Sequence, residues 1–552
     1  MIRHKRDDIP RLAQELKPYI AGWTRAGSTA VTSGGGGAAE PTPSKQYTTF
    51  VVAANNSTDD GKAAADYVCD GTTDNVEISA ALTATTTSGY RRVLLLEGTY
   101  NVVVGSIVIS SAGTTLEGQG DGTVLVCTSN GVGTKIIAVT AADVHIKNLR
   151  FNISGASSTG AAIKATSADR FVAENVHIRA PSAGIWLLTS LYGRVSNCHF
   201  YNYGSAIIFD QSDHSTAIGN ILYGNNTGEG VRSDNSDYLT ITGNNILGTG
   251  TASAAAIEIN NSASTGQVIA NNTIDGFDIG IQVSSTYTQV SNNLIYGSDQ
   301  GIRLWGNSCT ATGNVIIRTA GTTSIGYGIY VESYHHIVSN NYIEGHMGGI
   351  SIDISIECVV TGNYIIGNSW TTTPAADETP GIFIWDNCER IFVADNVIRK
   401  ATFSSGSTST YVQSYGVYID NSTDIDCTVI DNDLRNSGAT GDIFDAGTRT
   451  LYRAHDGSTK MKTLTIATGV ITVPGNGYSA LLPQTGTADD LDTISGGKDG
   501  MVIYVRNSSA TNTITLKHGT GNLSITADVV LNAINTVQPL IYDAAQVKWL
   551  KV

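Results

Sequence analysis

Between about residues 184 and 443 one short pattern keeps returning: Gly-Ile-x-Ile, roughly ten polar residues, then Val-x-(Gly/Asn)-Asn-x-Ile. The first half stands at Gly184-Ile185-Trp186-Leu187, Gly230-Val231-Arg232-Ser233, Gly280-Ile281-Gln282-Val283, Gly301-Ile302-Arg303-Leu304, Gly328-Ile329-Tyr330-Val331, Gly349-Ile350-Ser351-Ile352, Gly381-Ile382-Phe383-Ile384 and Gly416-Val417-Tyr418-Ile419. The second half places an asparagine at Asn148, Asn175, Asn197, Asn220, Asn245, Asn272, Asn293, Asn314, Asn341, Asn363, Asn396 and Asn432, at spacings of 21 to 36 residues. A unit this short cannot enclose a core of its own, so successive units must stack and share one. Within Gly-Ile-x-Ile the apolar residues alternate, which puts the branched side chains on one face and x on the other. Each unit is therefore made of short strands. An asparagine at one corner of every unit suits a residue that tolerates left-handed backbone and can bond its equivalents above and below. A string of hairpins would instead need Asn-Gly or Asp-Gly pairs about every eight to twelve residues, and no such spacing occurs.

This repeat resembles the right-handed parallel β-helix of pectate lyases and phage tailspikes, an all-β solenoid. The stretch before it carries a related likeness. Asp74-Asn75-Val76-Glu77 reads as a capping box that opens a helix through about Thr85. Val93-Leu94-Leu95-Leu96, Glu97-Gly98-Thr99-Tyr100, a strand near residues 106–110 and Leu116-Glu117-Gly118-Gln119-Gly120 follow. That order looks like the N-terminal cap of tailspike β-helices, which implies a helix closing the open end of the coil. Gly118-x-Gly120-x-Gly122 is no dinucleotide site, because no helix follows it.

The expected organisation has four parts. Residues 1–46 hold a short helix with a stripe of Ile9, Leu12, Leu16 and Ile20, then a Gly-rich tether; residues 47–120 form the cap; residues 121–457 form the β-helix. Residues 458–552 alternate in short segments and are expected to make a small antiparallel β domain. Their Asp489-Asp490-Leu491-Asp492 and Lys517-His518-Gly519-Thr520 stretches resemble a C-terminal module of phage tail and fibre proteins. That likeness implies a homotrimer, and a tail or baseplate attached through the N-terminal segment.

A formal net charge of −15 with no basic run inside the repeats disfavours nucleic acid as a partner. No window of about 18 apolar residues exists, so no membrane span is expected. The basic start, Met-Ile-Arg-His-Lys-Arg, has no apolar stretch behind it, so no export signal is expected. A virion tail acting at the host surface fits that combination. The seven cysteines show no metal-type spacing; Cys309 and Cys358 belong to units two steps apart, about 9 to 10 Å, too far for a disulfide. No metal or cofactor is expected.

Outward positions of the Gly-Ile-x-Ile strands should stack into two columns about 4.8 Å apart per step. One runs Trp186, Ile208, Arg232, Glu258, Gln282, Arg303, Tyr330, Ser351, Phe383, Tyr418; the other runs Leu188, Asp210, Asp234, Asn260, Ser284, Trp305, Glu332, Asp353, Trp385, Asp420. Rings and carboxylates on one face are what a saccharide site needs, since rings stack on sugar faces and acids bind hydroxyls. Trp305, Arg303, Tyr330, Phe383, Trp385 and Tyr418 are the expected substrate contacts. Hydrolysis needs two carboxyls flanking the bond; Glu332 with Asp353 is the first candidate pair, Glu258 with Asp234 the second. A lyase would instead need a base and a cation for a uronate, for which His335, His336 and Arg303 stand nearby. Insertions at 248–255, 319–327, 368–380 and 400–415 all precede Gly-Ile-x-Ile, so they should emerge beside this face. The expectation is a host-surface polysaccharide bound along the coil, with its depolymerisation there left open; a non-catalytic fibre and a free polysaccharide lyase or epimerase remain alternatives.

Overall fold

The computed structural model describes residues 49–88, 91–103, 105, 107–128, 135–154, 160–179, 182–224, 228–248, 254–318, 326–368, 379–400, 413–454, 462–473 and 477–552. The expected N-terminal helix and tether, and most of each insertion, lie outside these residues.

Each turn of the coil contributes one strand to a 14-stranded sheet, as Ser205–Asp210 and Val231–Asp234 do. Two shorter strands complete a turn, as Thr240–Thr242 and Asn245–Leu247 do after Val231–Asp234. All pair in parallel with their equivalents one turn on: Ile207 opposite Val231, Val231 opposite Ile257, Ile257 opposite Ile281. The fold is a right-handed parallel β-helix, the hand favoured whenever a twisted strand returns to pair in parallel. One contiguous apolar core runs from Val52 to Val429, so the stacking inferred from the repeat holds.

The asparagine corner is real but splits into two neighbouring positions. The first residue is left-handed: Asn197, Gly219, Gly243, Asn271, Asn292, Gly313, Asn340, Gly362, Asp395 and Asp431 all have φ between 54° and 68°. The next residue points inward and forms a buried ladder: Asn220, Asn244, Asn272, Asn293, Asn314, Asn341, Asn363, Asn396 and Asn432. Each Nδ2 from Asn220 to Asn396 donates to the following Oδ1 at 2.9–3.0 Å. Three expected members lie outside the buried ladder: Asn148, Asn175 and Asn197 are the left-handed residues of their turns, followed inside by Leu149, Val176 and Cys198, although Asn175 Nδ2 still donates to Asn148 Oδ1 at 2.8 Å on the outside. Asn245 is corrected to Asn244, because Gly243 already supplies the left-handed backbone. The ladder begins where Cys198 N–H donates to Asn220 Oδ1 at 2.9 Å.

The glycines of Gly-Ile-x-Ile are explained by contact. A Cβ on Gly328 would lie 2.2 Å from Ile343 Cγ2 and 2.8 Å from the Gly349 carbonyl oxygen; Gly301, Gly349 and Gly381 face Ile316, Ile365 and Ile398 at 2.3 to 2.4 Å. Glycine and the isoleucine after it thus both face the core, which breaks the simple alternation. The residue before the glycine is consequently turned outward, as the Tyr327–Tyr330 and Tyr415–Tyr418 ring contacts show at 6.2 and 5.4 Å. Gly328→Ala is expected to cost about 1–3 kcal/mol by overpacking. Pairing it with Ile343→Val should recover part of that in a thermal melt; equal midpoints for wild type and Gly328→Ala would remove this account.

The expected helix is present as Asn75–Ser88 and buries Ile78, Ala81, Leu82 and Thr85 at the start of the coil. The carboxylate of Asp74, just before the helix, accepts Gly71 N–H at 2.8 Å and Asn101 N–H at 2.6 Å, tying the helix start to the strand Gly98–Asn101. The C-terminal region is mixed, not antiparallel. Lys462–Thr465, Gly477–Leu482 and Val502–Asn507 pair in parallel, as do Ala488–Leu491 and Thr513–Leu516. Antiparallel strand pairs enter with Val529–Leu531, Val537–Asp543 and Lys548–Lys551, beside a single antiparallel bridge between Ala467 and Val470. Two-residue alternation is common to both pairings, so the sequence could not separate them. This region has its own core around Trp549, whose Nε1 donates to the Ile494 carbonyl at 2.9 Å.

Candidate active site

The outward face of the 14-stranded sheet carries two groups of chemistry-bearing side chains. In the first, Glu332 stands opposite Asp353 on adjacent strands, Tyr327–Tyr334 and Gly348–Ile356, about 4.8 Å apart at strand spacing. The register slips immediately after Glu332, and Ile354, a β-branched residue, is left-handed at φ 45°. Such a bulge re-aims the side chains beside it, and strained backbone of this kind gathers at functional sites. Tyr330 Oη donates to Asp353 Oδ2 at 2.7 Å, and burial, with the Asp353 bond, raises its phenol pKa. The Arg303 guanidinium lies 3.7 Å from the Trp305 ring centroid and 5.7 Å from that of Tyr330, an arrangement in which burial lowers its pKa. Arg303 Nε and Trp305 Nε1 have no hydrogen-bond partner among the described residues.

The second group surrounds a cleft of about 460 Å³ lined by Trp186, Ser205, Ile208, Glu229 and Arg232. Arg232 pairs with Asp234 at 2.9 Å, and Lys164 Nζ sits 3.6 Å over the Trp186 ring. Glu258, opposite Arg232 on the next strand, accepts a hydrogen bond from Gln282 at 3.1 Å. Burial, then the adjacent Glu229 to which it is hydrogen-bonded, raises the Glu258 pKa. Asp210, opposite Asp234, is raised likewise by burial and then by Asp234. Glu258 lies on the diagonal from Asp234, about 8 Å between backbone positions from strand spacing and rise.

The structure thus holds Glu332 with Asp353, and Glu258 beside Asp234, on one face as the repeat predicts. Glu229 was missed. It precedes Gly230, and only the glycine bend turns it outward, onto the side of Arg232 and Glu258.

Two expected contacts are corrected. Phe383 and Tyr418 are 3% and 9% exposed and form a satellite cluster with Tyr327 and Met347. Their rings meet edge to face at 5.4 Å, and Tyr418 stacks on Phe444 at 4.4 Å. Tyr327 and Tyr415, which precede Gly328 and Gly416, crowd the same side, so this end of the column covers itself. Trp385 remains exposed and stacks on Phe383 at 5.0 Å. The two adjacent histidines diverge: His336 is buried, with Nε2 3.1 Å from the Glu332 carbonyl and its pKa lowered by burial to about 4, while His335 is exposed and pairs with Glu357 at 3.0 Å.

Among the described residues, Cys69, Asp74 and Glu77 are close enough to share an ion. Asp74 is already committed to two backbone N–H groups, and burial with the neighbouring carboxylates holds the Cys69 thiol protonated. Those three residues are a structural knot beneath the helix.

The sequence matches a family described as periplasmic copper-binding protein (NosD) over residues 52–246 and 99–312, and the right handed beta helix region over residues 229–398 and 279–454. No curated protein matches it. Among solved structures, tailspike protein 3 of bacteriophage CBA120 is 12% identical with a TM-score of 0.50, over 88% of this chain and 67% of that one. The A-module of the mannuronan C-5 epimerase AlgE4 of Azotobacter vinelandii is 16% identical with a TM-score of 0.37, over 70% of this chain and 94% of that one. A tailspike of E. coli bacteriophage HK620, in complex with a pentasaccharide, is 12% identical with a TM-score of 0.44, over 68% and 74%. At these identities the likeness is one of fold.

Proposed function

We propose that this β-helix is a tailspike-like protein that binds an extended host-surface polysaccharide along the outward face of its 14-stranded sheet and hydrolyses it. In that reading residues 1–46 attach it to a virion tail and the chain works as a homotrimer. The observation that carries the reading is the co-location, on one face, of stacking rings and of carboxyls whose environments differ. Glu258, whose pKa is raised by burial and then by Glu229, is suited to donate a proton to a leaving glycosidic oxygen. Asp234, held against Arg232 and set diagonally across the strands from Glu258, is suited to act as the base that activates a water on the opposite side of the sugar, a role for which the two carboxyls need roughly 6.5–9.5 Å between them. Trp186 in the cleft, and Arg303, Trp305, Tyr330, Glu332, Asp353 and Trp385 further along the axis, would hold the flanking sugars by stacking and by hydrogen bonds to hydroxyls.

Glu258→Gln and Asp234→Asn are each expected to lower the release of reducing ends from host-envelope polysaccharide by about 10²- to 10⁴-fold. Binding of the polymer should survive both changes. Because the acid must be protonated, wild-type activity should fall as pH rises through the elevated Glu258 pKa. Product sizes unchanged by both variants would overturn the catalytic assignment. Binding without any cleavage by the wild type would leave a non-catalytic fibre.

A further inference from the structure

A second hollow lies on a different sheet, and nothing in the proposed cleavage uses it. Its volume is about 490 Å³, and its lining includes Asp121, Arg150, His177, Arg179, His199 and Tyr201. The parallel register explains how residues so far apart in sequence meet. Arg150, His177 and His199 occupy equivalent positions on three successive turns, and Arg179 and Tyr201 occupy the next outward position on two of them. Tyr201 stacks on Tyr223, one turn further, with ring centroids 5.3 Å apart at 12°, and both rings are exposed. His177 and His199 stack at 4.3 Å and 5°, and His177 Nδ1 meets Asp121 Oδ1 at 2.5 Å.

Charge makes this hollow unlike the rest of the chain. A protein of net charge −15 gathers two guanidiniums and two imidazoles here against the single carboxylate of Asp121. Most arginines on the described coil are tied to a carboxylate, as Arg170 is to Asp143, Arg390 to Glu357 and Arg449 to Asp426. Arg150 and Arg179 form no ion pair among the described residues, although both are exposed. Burial and then His177 lower the His199 pKa, which favours the neutral ring with one donor and one acceptor nitrogen. Asp121 is engaged by His177, which leaves the two arginines to face an incoming anion. Planar guanidiniums match a carboxylate in bidentate geometry, and the exposed tyrosine pair beside them is a flat apolar platform.

We propose that this hollow binds a carboxylate-bearing sugar, its anionic group held by Arg150 and Arg179 and its ring laid on the Tyr201–Tyr223 pair. The site is separate from the cleavage face and does not depend on that face being catalytic. Its consequence is selectivity: a polymer carrying uronate or a similar acidic unit would be gripped at a second point, and a neutral polymer would not.

The test is calorimetric titration of the full chain with a hexuronate oligosaccharide, with the same oligosaccharide after reduction of its carboxyls, and with inorganic phosphate. The acidic oligosaccharide is expected to bind, the reduced form at least tenfold more weakly, and Arg150→Gln with Arg179→Gln should weaken acidic binding at least tenfold. Tyr201→Ala should weaken it severalfold. Both arginines are exposed, so circular dichroism should show the fold unchanged. The paired arginine change should leave the release of reducing ends from a neutral polymer as in the wild type, which separates this site from the cleavage face. Equal affinity for the acidic and reduced forms, or no effect of the arginine changes, would overturn the proposal. So would phosphate binding as tightly as the oligosaccharide, which would mean an anion site without sugar recognition.

Discussion

Asn244→Ala is expected to lower the stability of the coil by about 3–5 kcal/mol, while Asn245→Ala, one residue away, should change it by no more than about 0.5 kcal/mol. Asn244 Oδ1 accepts the main-chain N–H of Asn220 at 3.0 Å and its Nδ2 at 2.9 Å, and Asn244 Nδ2 donates to the Ala217 carbonyl at 2.9 Å and to Asn272 Oδ1 at 2.9 Å. All of these groups are buried, so truncation leaves donors and acceptors that water cannot reach. Asn245 offers the contrast, since its Oδ1 has no hydrogen-bond partner among the described residues. The measurement is the unfolding midpoint of each variant, with amide exchange to locate the opening. Exchange should accelerate in the turns around Asn220, Asn244 and Asn272 first, because a solenoid can open locally. Equal midpoints for the two variants would mean that the ladder contributes nothing beyond ordinary packing.

Arg318→Met is the second change with a large expected effect. Arg318 Nη2 pairs with Asp299 Oδ1 at 2.8 Å, with the two side chains 1% and 7% exposed. Removing the cation leaves a buried carboxylate without it, which typically costs about 3–5 kcal/mol. Replacing both residues, Arg318→Met with Asp299→Leu, should recover much of that loss, since a well-packed apolar pair avoids the desolvation of both ions.

His346 lies beside this pair, fully buried, with Nδ1 3.1 Å from the Glu344 carbonyl. Burial, with Arg318 adding repulsion, depresses its pKa to about 3, against about 6.5 in an unfolded chain. A histidine held neutral in the fold stabilises it above the unfolded pKa, and that contribution is lost as pH falls from about 6.5 toward 3. His336, depressed to about 4, acts in the same direction. Asp424, whose pKa burial raises to about 6, opposes them between about pH 4 and 6. A His346→Gln variant should therefore lose stability less steeply on acidification than the wild type. Parallel acid limbs for the two would show that this histidine is not held neutral.

Several corrections share one physical origin. The period-two reading of Gly-Ile-x-Ile was sound for Trp186, Arg232, Arg303 and Tyr330, which do face outward. It failed at the residue before each glycine, because two consecutive inward residues reset the alternation and turn Glu229, Tyr327 and Tyr415 outward. Glu229 then changes the chemistry of Glu258, and the tyrosines bury Phe383 and Tyr418. The asparagine corner failed by one residue for a similar reason: left-handed backbone and inward amide are separate requirements met by adjacent positions, and asparagine suits either, so Asn148, Asn175 and Asn197 serve the first and Asn244 the second. The mixed C-terminal sheet was hidden because alternation is blind to strand direction.

What the sequence settled by itself was the winding: units too short to hold a core, apolar residues at period two and a polar residue recurring at one corner leave stacked parallel turns as the economical solution. That alone placed Glu332 over Asp353 and Trp186 in line with Arg232. Only the tertiary structure decided where side chains point at the bends, and so which carboxyls crowd one another, which rings are covered and which arginines lack an ion pair among the described residues. Periodicity fixes the spacing of positions along a strand, whereas direction at a corner depends on contacts with the turns above and below, and those residues are some 20 to 30 positions away in the chain.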